Sequence, residues 1–225
     1  MIDFDKLIDN HLFREHRPKK IGSYYPSEIG GCLRKLYYSY KYPIPIQPEL
    51  VKIFEVGNIV HNFIAEVMRS EKNNHVQLLD SELPFKIELN GFVISGRIDD
   101  LLLIKESGKK LLVEVKSTSR VDSTDEAQPH HVMQLQLYMH AIGVKDGAVL
   151  YVEKNTLKTR AFPIEYHEGI AAEALNRFNM LHNSLKDEKT PSPEARKDHE
   201  KLWMCSHCDY KDRCFRETPD SELGK

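Results

Sequence analysis

Two short apolar runs near the middle of the chain carry carboxylates and a lysine. Asp99 lies in the run 95–104, and Glu114 and Lys116 lie in the run 111–117. Neighbouring carboxylates repel each other unless they are protonated, paired or bound to a metal, and their oxygens suit hard cations such as Mg²⁺ or Mn²⁺. These residue types therefore predict a cation site with an amine beside it. A plain ion pair of Lys116 with one carboxylate at an exposed strand edge is the alternative interpretation.

The two runs must lie side by side for that chemistry. Both are rich in Val, Ile and Leu, and the polar segment 105–110 between them contains a glycine, which predicts an antiparallel hairpin. A turn near Gly108 sets Asp99 within about one residue of facing Glu114, with Cβ atoms about 4.5–5.5 Å apart. Because side chains alternate along a strand, Glu114 and Lys116 point to the same face.

The cysteines form a second group with metal-binding character. They are Cys32, Cys205, Cys208 and Cys214. In a chain expected to be intracellular, the dense spacing of the last three favours metal ligation over disulfides. Four thiolates suit zinc or an iron–sulfur cluster, and His199 or His207 is an alternative zinc ligand to Cys32. A site that includes Cys32 would join the two ends of the chain and constrain the unfolded state.

The rest of the chain alternates helical and strand patterns around the hairpin. The predicted helices cover residues 5–13, 33–40, 48–70, 131–142 and 168–185. The predicted strands cover residues 83–89, 92–104, 111–117, 147–153 and 158–164, with an Asn-Gly turn at 90–91. The first three strands form an antiparallel meander, and residues 187–198 form a polar linker.

The helix predicted over 48–70 carries an apolar stripe that we expect to face the core. The stripe consists of Ile53, Val56, Val60, Ile64 and Val67. His61 lies one position off this stripe. A histidine at such a place is most often buried with one hydrogen bond, so the spacing alone does not make His61 a ligand.

Two other helices carry polar or aromatic groups with a structural and a functional interpretation. On the 131–142 helix, Gln134 and Tyr138 lie four residues apart, so they line a site or form a surface pair. The 33–40 helix is aromatic, and its tyrosines are more typical of core packing than of base stacking. These tyrosines are Tyr37, Tyr38 and Tyr40.

The composition is that of a soluble globular protein. The chain has 225 residues, of which 40% are hydrophobic and 29% are charged, with a net charge of −2. No run is long and apolar enough for a membrane span, and the polar, acidic start does not resemble a secretory signal. We therefore expect an intracellular, cytoplasmic protein.

The charge is unevenly spread. Residues 14–41 hold seven basic and two acidic residues, and residues 196–216 hold six basic and four acidic residues, so the centre of the chain is acidic. Basic ends around an acidic centre fit a polyanion held by its backbone while a metal acts on one phosphate.

Together, the motifs resemble the PD-(D/E)xK nuclease superfamily, and within it the RecB-type nucleases with an iron–sulfur staple. The closest resemblance is to the CRISPR-associated exonuclease family Cas-four. In chain order the motifs are Ser27–Lys35 with Cys32, Gly57–His61, Gly96–Asp99, Glu114–Lys116, Gln134-x3-Tyr138 and the three C-terminal cysteines. Each motif is weak alone, but six in this order form a specific signature.

The resemblance implies an α/β (α+β) fold with a central mixed β-sheet flanked by helices, a restriction-endonuclease-like core. Residues 1–225 are then a single nuclease domain. Residues 1–47 and 187–225 form a cysteine-stapled subdomain, and residues 48–186 form the nuclease core.

The resemblance also implies a metal site. His61, Asp99 and Glu114 look like ligands of Mg²⁺ or Mn²⁺, together with the backbone carbonyl of Val115. The four cysteines look like ligands of an iron–sulfur cluster, [4Fe-4S] in preference to [2Fe-2S].

The remaining motif residues are implied to act on the substrate. Lys116 looks like the catalytic lysine, and Gln134 and Tyr138 match the motif that helps position the lysine and the DNA strand. The implied function is a metal-dependent DNA exonuclease that acts mainly on single strands, with end processing for CRISPR spacer acquisition as its expected role.

Integrase proteins are the expected partners, and ring-shaped oligomers occur among relatives. The alternative is a non-catalytic module that binds DNA ends or docks onto an adaptation complex. No catalytic position departs from the motif, which argues against this alternative.

Overall fold

A mixed six-stranded sheet forms the centre of the molecule. The computed structural model describes residues 1–13 and 18–219, so Arg14, Glu15 and Arg17 of the predicted basic stretch lie outside the described residues. The strands are β1 (Ser23–Tyr24), β2 (Val76–Leu89), β3 (Phe92–Ile104), β4 (Lys109–Thr118), β5 (Asp146–Glu153) and β6 (Thr159–Glu165). The β2–β3, β3–β4 and β5–β6 pairs are antiparallel, whereas β1–β3 and β4–β5 are parallel. The predicted mixed sheet is confirmed.

β3 is the strand on which the sheet is organised. Its residue Val93 pairs with both β2 and β1, and its residue Asp100 pairs with both β2 and β4. Because a strand has two edges, β2 must occupy one edge and β1 and β4 must share the other. Between these two partners, residues 95–99 of β3 lack a paired strand on the shared edge, within the part of the chain that the structure describes.

Helices cover both faces of the sheet. They are α1 (Phe4–Leu12), α2 (Leu33–Lys41), α3 (Pro48–Arg69), α4 (Pro129–Ile142), α5 (Glu168–Lys186), α6 (Glu194–Lys197), α7 (Trp203–Ser206) and α8 (Lys211–Glu217). On one face, Val60 and Ile64 of α3 pack with Val113 and Val115 of β4. On the other face, Leu135 and Met139 of α4 pack with Leu112 and Val149. β4 is therefore buried on both sides, as expected for a strand that also has a parallel neighbour.

The α3 helix has the predicted bounds, but the expectation that its whole apolar stripe is buried is wrong. Val60 and Ile64 are each 5% exposed, whereas Ile53 and Val56 are 51% and 40% exposed. Only the second half of α3 lies over the sheet, so helical periodicity identified the face but not the length that is covered. Among the described residues, no helix is both long and apolar enough to cross a bilayer.

Other elements differ from the sequence predictions at their ends. β2 begins at Val76, seven residues before the predicted start, and follows β3 along almost its whole length. The segment predicted as a polar linker contains the short helix α6. The two-residue strand β1 was missed because a pair of residues gives no periodicity.

The two ends of the chain pack into one hydrophobic cluster with the sheet. This cluster joins α2 to Phe92 and Ile94 of β3, Phe178 of α5 and Tyr210 near the C-terminus. The predicted core packing of the α2 tyrosines is confirmed, because Tyr37, Tyr38 and Tyr40 are at most 6% exposed. The boundaries proposed for a separate stapled subdomain stay a prediction.

Gly30 lies close to the backbone of α4 at His130. A Cβ atom at residue 30 would lie 2.2 Å from the Cβ of His130, whereas a Cβ at residue 31 would meet only a Glu28 carbonyl at 3.9 Å. Substitution at residue 30 therefore forces α4 away from the loop, and substitution at residue 31 does not.

We predict that Gly30→Ala destabilises the protein by about 1–3 kcal/mol, because overpacking forces backbone shifts. Gly31→Ala is the matched control and should leave stability within about 0.5 kcal/mol. Urea unfolding of the two variants beside the wild type measures the difference. Equal stability of Gly30→Ala and Gly31→Ala would contradict the close contact.

Candidate active site

Asp99 lies where the pairing of β3 with β4 stops. The last paired residues are Asp100 and Val113, so Asp99 and Glu114 occupy the next position of the register. In place of a strand hydrogen bond, Oδ2 of Asp99 accepts the backbone N–H of Val115 at 2.8 Å. The carboxylate thus satisfies a buried backbone donor at the point where the strands separate. The predicted juxtaposition of the two carboxylates is confirmed at this gap.

Glu114 and Lys116 point from β4 into the α4 side of the gap. Glu114 is 1% exposed, and Nζ of Lys116 lies 2.6 Å from its Oε1. Apart from this ion pair, neither carboxylate oxygen of Glu114 has a hydrogen-bond partner among the described residues. A buried carboxylate with one charged partner has lone pairs left that a cation can use.

His61 reaches the same carboxylates from α3, on the opposite face of the sheet. Its Nδ1 lies 3.5 Å from Oδ1 of Asp99. Burial opposes the imidazolium form of His61, but the Asp99 and Glu114 carboxylates together raise the His61 pKa. The imidazole is held beside the gap by α3, whose Val60 and Ile64 belong to the buried cluster.

Gln134 and Tyr138 hold the lysine from α4. Oε1 of Gln134 accepts a hydrogen bond from Nζ of Lys116 at 3.1 Å, and Nε2 of Gln134 donates to the Tyr138 hydroxyl at 2.7 Å. Tyr138 is 4% exposed and packs edge-on against Phe85. Tyr138 therefore positions Gln134, and through it Lys116, from inside the core.

The electrostatics of the gap favour a cation. Burial first, and then the charge of Asp99, raise the pKa of Glu114 to about 7. No three His, Cys, Asp or Glu side chains of residues 1–13 and 18–219 already converge as a closed metal cage. The arrangement instead offers a buried carboxylate whose one charged partner is Lys116, a second carboxylate and an imidazole, which are donors that Mg²⁺ or Mn²⁺ accepts.

Two neighbouring groups were not selected from the sequence as site residues. Asp100 is 1% exposed, its Oδ1 has no hydrogen-bond partner among the described residues, and burial raises its pKa to about 6. Because side chains alternate along a strand, Asp100 points to the opposite face of the sheet from Asp99, and this could have identified Asp100 as a buried acid. His131 hydrogen-bonds through Nδ1 to the Tyr151 hydroxyl at 2.8 Å. This contact depends on the position of β5, which the parallel pairing of β4 with β5 determines.

The four cysteines line one small cavity of about 20 Å³. They are Cys32, Cys205, Cys208 and Cys214, and none is in a disulfide. Neither His199 nor His207 lines this cavity, so the alternative zinc ligands lie outside it. Burial, followed by the charge of Cys32, raises the pKa of the Cys205 thiol. A bound cation would offset this by stabilising the thiolate, so a set of four cysteines fits a metal or cluster.

Arginines connect the cysteine cavity to both ends of the chain. Arg34 donates to Oγ1 of Thr218 at 2.8 Å and lies 3.8 Å from Sγ of Cys214. Arg196 donates to the Thr218 carbonyl at 2.6 Å, and its guanidinium lies 4.0 Å from the same sulfur. Two guanidinium groups thus place positive charge beside one sulfur.

The mixed sheet, the acidic gap in it and the adjacent lysine define a protein of the nuclease type. The chain belongs to the PD-(D/E)XK nuclease superfamily, whose family model matches residues 63–215. The match begins within α3 and ends in α8, so it includes the whole hairpin and the three C-terminal cysteines.

Known proteins of similar sequence and structure agree with this family. The chain is 24% identical over 208 residues to the CRISPR-associated exonuclease Cas4 of Saccharolobus solfataricus, covering 90% of this chain and 91% of the relative. The crystal structure of SSO0001 superposes with a TM-score of 0.59 at 20% identity, covering 93% and 92% of the two chains. An alkaline exonuclease from Laribacter hongkongensis has a TM-score of 0.53 at 14% identity and covers 75% of this chain and 90% of its own.

Ionised Glu114 should destabilise the protein at pH 8 when no cation is bound, because burial and the charge of Asp99 raise its pKa to about 7 in spite of the Lys116 ion pair. We predict that Glu114→Gln raises the unfolding free energy of the metal-free protein at pH 8 by about 1–3 kcal/mol. Urea unfolding in EDTA measures this. Glu106→Gln, in the exposed turn of the same hairpin, is the control. A loss of stability in Glu114→Gln would show that its carboxylate is satisfied.

Proposed function

We propose that the protein is a metal-dependent DNA exonuclease that acts mainly on single strands. The observation that carries this proposal is the buried Glu114 carboxylate at the strand gap, beside Asp99 and in an ion pair with the Lys116 amine. His61, Asp99 and Glu114 would hold Mg²⁺ or Mn²⁺, with the Val115 carbonyl as a further ligand. A bound divalent cation supplies Lewis acidity toward the scissile phosphate and a water of lowered pKa.

The chain's own residues would orient the substrate around that cation. Lys116 places a positive charge beside Glu114, where it offsets charge that develops on the phosphate during attack. Gln134 fixes the amine, and Tyr138 fixes Gln134. In this scheme Tyr138 is a positioning residue, because its low exposure leaves it out of reach of a strand.

We also propose that the cysteine cavity holds an iron–sulfur cluster, [4Fe-4S] in preference to [2Fe-2S]. All four thiols line one cavity, and the arginines beside Cys214 would offset the negative charge of a thiolate cluster. The cluster would be structural, since it lies between the first and last segments of the chain.

The biological role we propose is the processing of DNA ends for CRISPR spacer acquisition. Its support is the relative named as a CRISPR-associated exonuclease, which matches nine-tenths of this chain. Integrase proteins of the adaptation machinery are the partners that this role requires, and an oligomer is compatible with it.

Cleavage should depend on the amine of the gap. We predict that Lys116→Ala and Asp99→Ala each lower the cleavage rate at least about 100-fold, because each removes a group beside the scissile phosphate. Both should retain DNA affinity within about threefold, since most DNA affinity comes from contacts to the phosphate backbone.

A gel assay with Mn²⁺ on end-labelled single strands measures cleavage, and fluorescence anisotropy measures binding. Lys110→Ala removes an exposed lysine from the same strand and serves as the control. Undiminished cleavage by Lys116→Ala would refute the proposed site.

Loss of the cluster should affect stability and activity together. We predict that Cys208→Ser, purified without oxygen, loses the brown visible absorbance of an iron–sulfur protein and melts at a lower temperature. Ser206→Ala, two residues away and exposed, is the control. A colourless Cys208→Ser protein with full stability and activity would show that the cluster is dispensable.

A further inference from the structure

The chain's single tryptophan is held at the surface between the two proposed metal sites. Trp203 begins α7, two residues before Cys205, and its side chain is 55% exposed. The ring centroids of Trp203 and His130 are 6.5 Å apart, with the planes tilted by 42°. His130 lies on one side of the indole, and more than half of the tryptophan surface faces solvent.

His130 connects this tryptophan to the candidate active site. It lies in the first turn of α4, one helical turn before Gln134, and four residues correspond to about 6 Å along a helix. Gln134 in turn accepts the Lys116 hydrogen bond at 3.1 Å. Burial and then the positive charge of Lys116 lower the pKa of His130, which agrees with this proximity. One face of α4 therefore leads from the Lys116 amine to the indole.

Two adjoining clefts meet at Trp203 and His130. The first has a volume of about 370 Å³ and also contains Lys19, Lys35 and His207, with Glu28 as its only carboxylate among the described lining residues. The second has a volume of about 500 Å³. Its described lining residues include three carboxylates and two cationic groups, which are Glu173, Glu194, Glu200, Arg177 and Lys201.

The charge difference decides which cleft suits a polyanion. In the first cleft, Lys35 is held only by a loose ion pair with Asp209 at 3.8 Å, so its charge is available to a ligand. In the second cleft, Arg177 is already paired with Glu194 at 2.8 Å. A phosphate backbone is therefore attracted to the Lys35 side of Trp203 and repelled by the acidic side.

We propose that Trp203, backed by His130, is a stacking platform for one nucleobase of single-stranded DNA, whose backbone follows the Lys35 cleft toward the active site. This inference rests on the proposed nuclease function and names how its substrate is held. Aromatic stacking with adjacent cations binds single strands of any sequence, because every base has a flat face. Paired bases of a duplex do not offer that face, so the platform selects single strands or frayed ends.

The proposal also gives the cysteine cavity a function beyond stability. The segment of Trp203 includes Cys205, and both clefts share Met204 with the cysteine cavity. A group bound by the cysteines would therefore fix the position of the indole relative to α4.

The test uses the cluster-loaded full chain and an oligothymidylate in which one position carries 2-aminopurine, moved along the strand. In EDTA, where no divalent cation supports cleavage, we expect quenching of 2-aminopurine at one or two adjacent positions. Trp203→Leu should abolish that quenching and weaken binding about tenfold or more, whereas Trp203→Phe should keep most of both. Lys35→Ala should weaken binding, and Lys201→Ala, on the other side of the indole, should not.

Cleavage assays separate this inference from the proposed function. With Mn²⁺, Trp203→Leu should raise KM for single-stranded DNA about tenfold, yet hydrolyse bis(p-nitrophenyl) phosphate like the wild type, because that small diester does not reach the platform. Unchanged quenching and affinity in Trp203→Leu, or an equal loss in Lys201→Ala, would overturn the platform. A wild-type protein that stacks the base but hydrolyses neither substrate would support the platform and refute the nuclease proposal.

Discussion

The hydrogen bond from the Val115 backbone to the Asp99 carboxylate is the contact on which the candidate site depends. Strands β3 and β4 separate after Asp100 and Val113, and a buried backbone donor left open there would cost about 1–3 kcal/mol. Asp99 satisfies it, which fixes one carboxylate at the gap and aims its second oxygen at His61. Because β4 continues beside β5, the gap stays lined by backbone that is held on its other edge. A sheet that closed completely would leave no room for a ligand between these strands.

A second constraint links the two ends of the chain. The Arg177 guanidinium on α5 donates to the Ile29 and Gly31 carbonyls and to both Glu194 oxygens, so it connects the N-terminal loop with α6. These hydrogen bonds are charge-assisted, because the guanidinium carries a positive charge, and bonds of this kind are stronger than neutral ones. The cysteine cavity therefore lies between segments that other contacts already hold. This explains how residues more than 170 positions apart line one cavity, because the polar network and the tyrosine cluster bring Cys32 to the C-terminal cysteines.

The sequence predicted the parts of this structure that depend on local periodicity. The hairpin of β3 and β4 was predictable because its residues alternate and its turn contains glycine, and that hairpin alone brings Asp99 to Glu114. The parallel neighbour β5 and the exposure of Ile53 were not predictable, since both depend on where distant segments pack. His61 shows the limit of prediction from local spacing. Its helix was predicted from the spacing of apolar residues, but its contact with Asp99 depends on how α3 packs over the gap between β3 and β4. Asp100 was missed although the alternation of side chains along β3 separates it from Asp99.

The α4 helix carries residues of both the candidate active site and the proposed stacking platform. Its inner face carries Gln134 and Tyr138, which hold the lysine, and its first turn carries His130, which supports the exposed indole. The close approach of Gly30 fixes that first turn against the N-terminal loop, which continues directly into Cys32. Leu135 and Met139 of α4 are fully buried, so close packing sets the position of the helix against the sheet. The same packing therefore positions both Gln134, which accepts the lysine hydrogen bond, and His130, which contacts the indole.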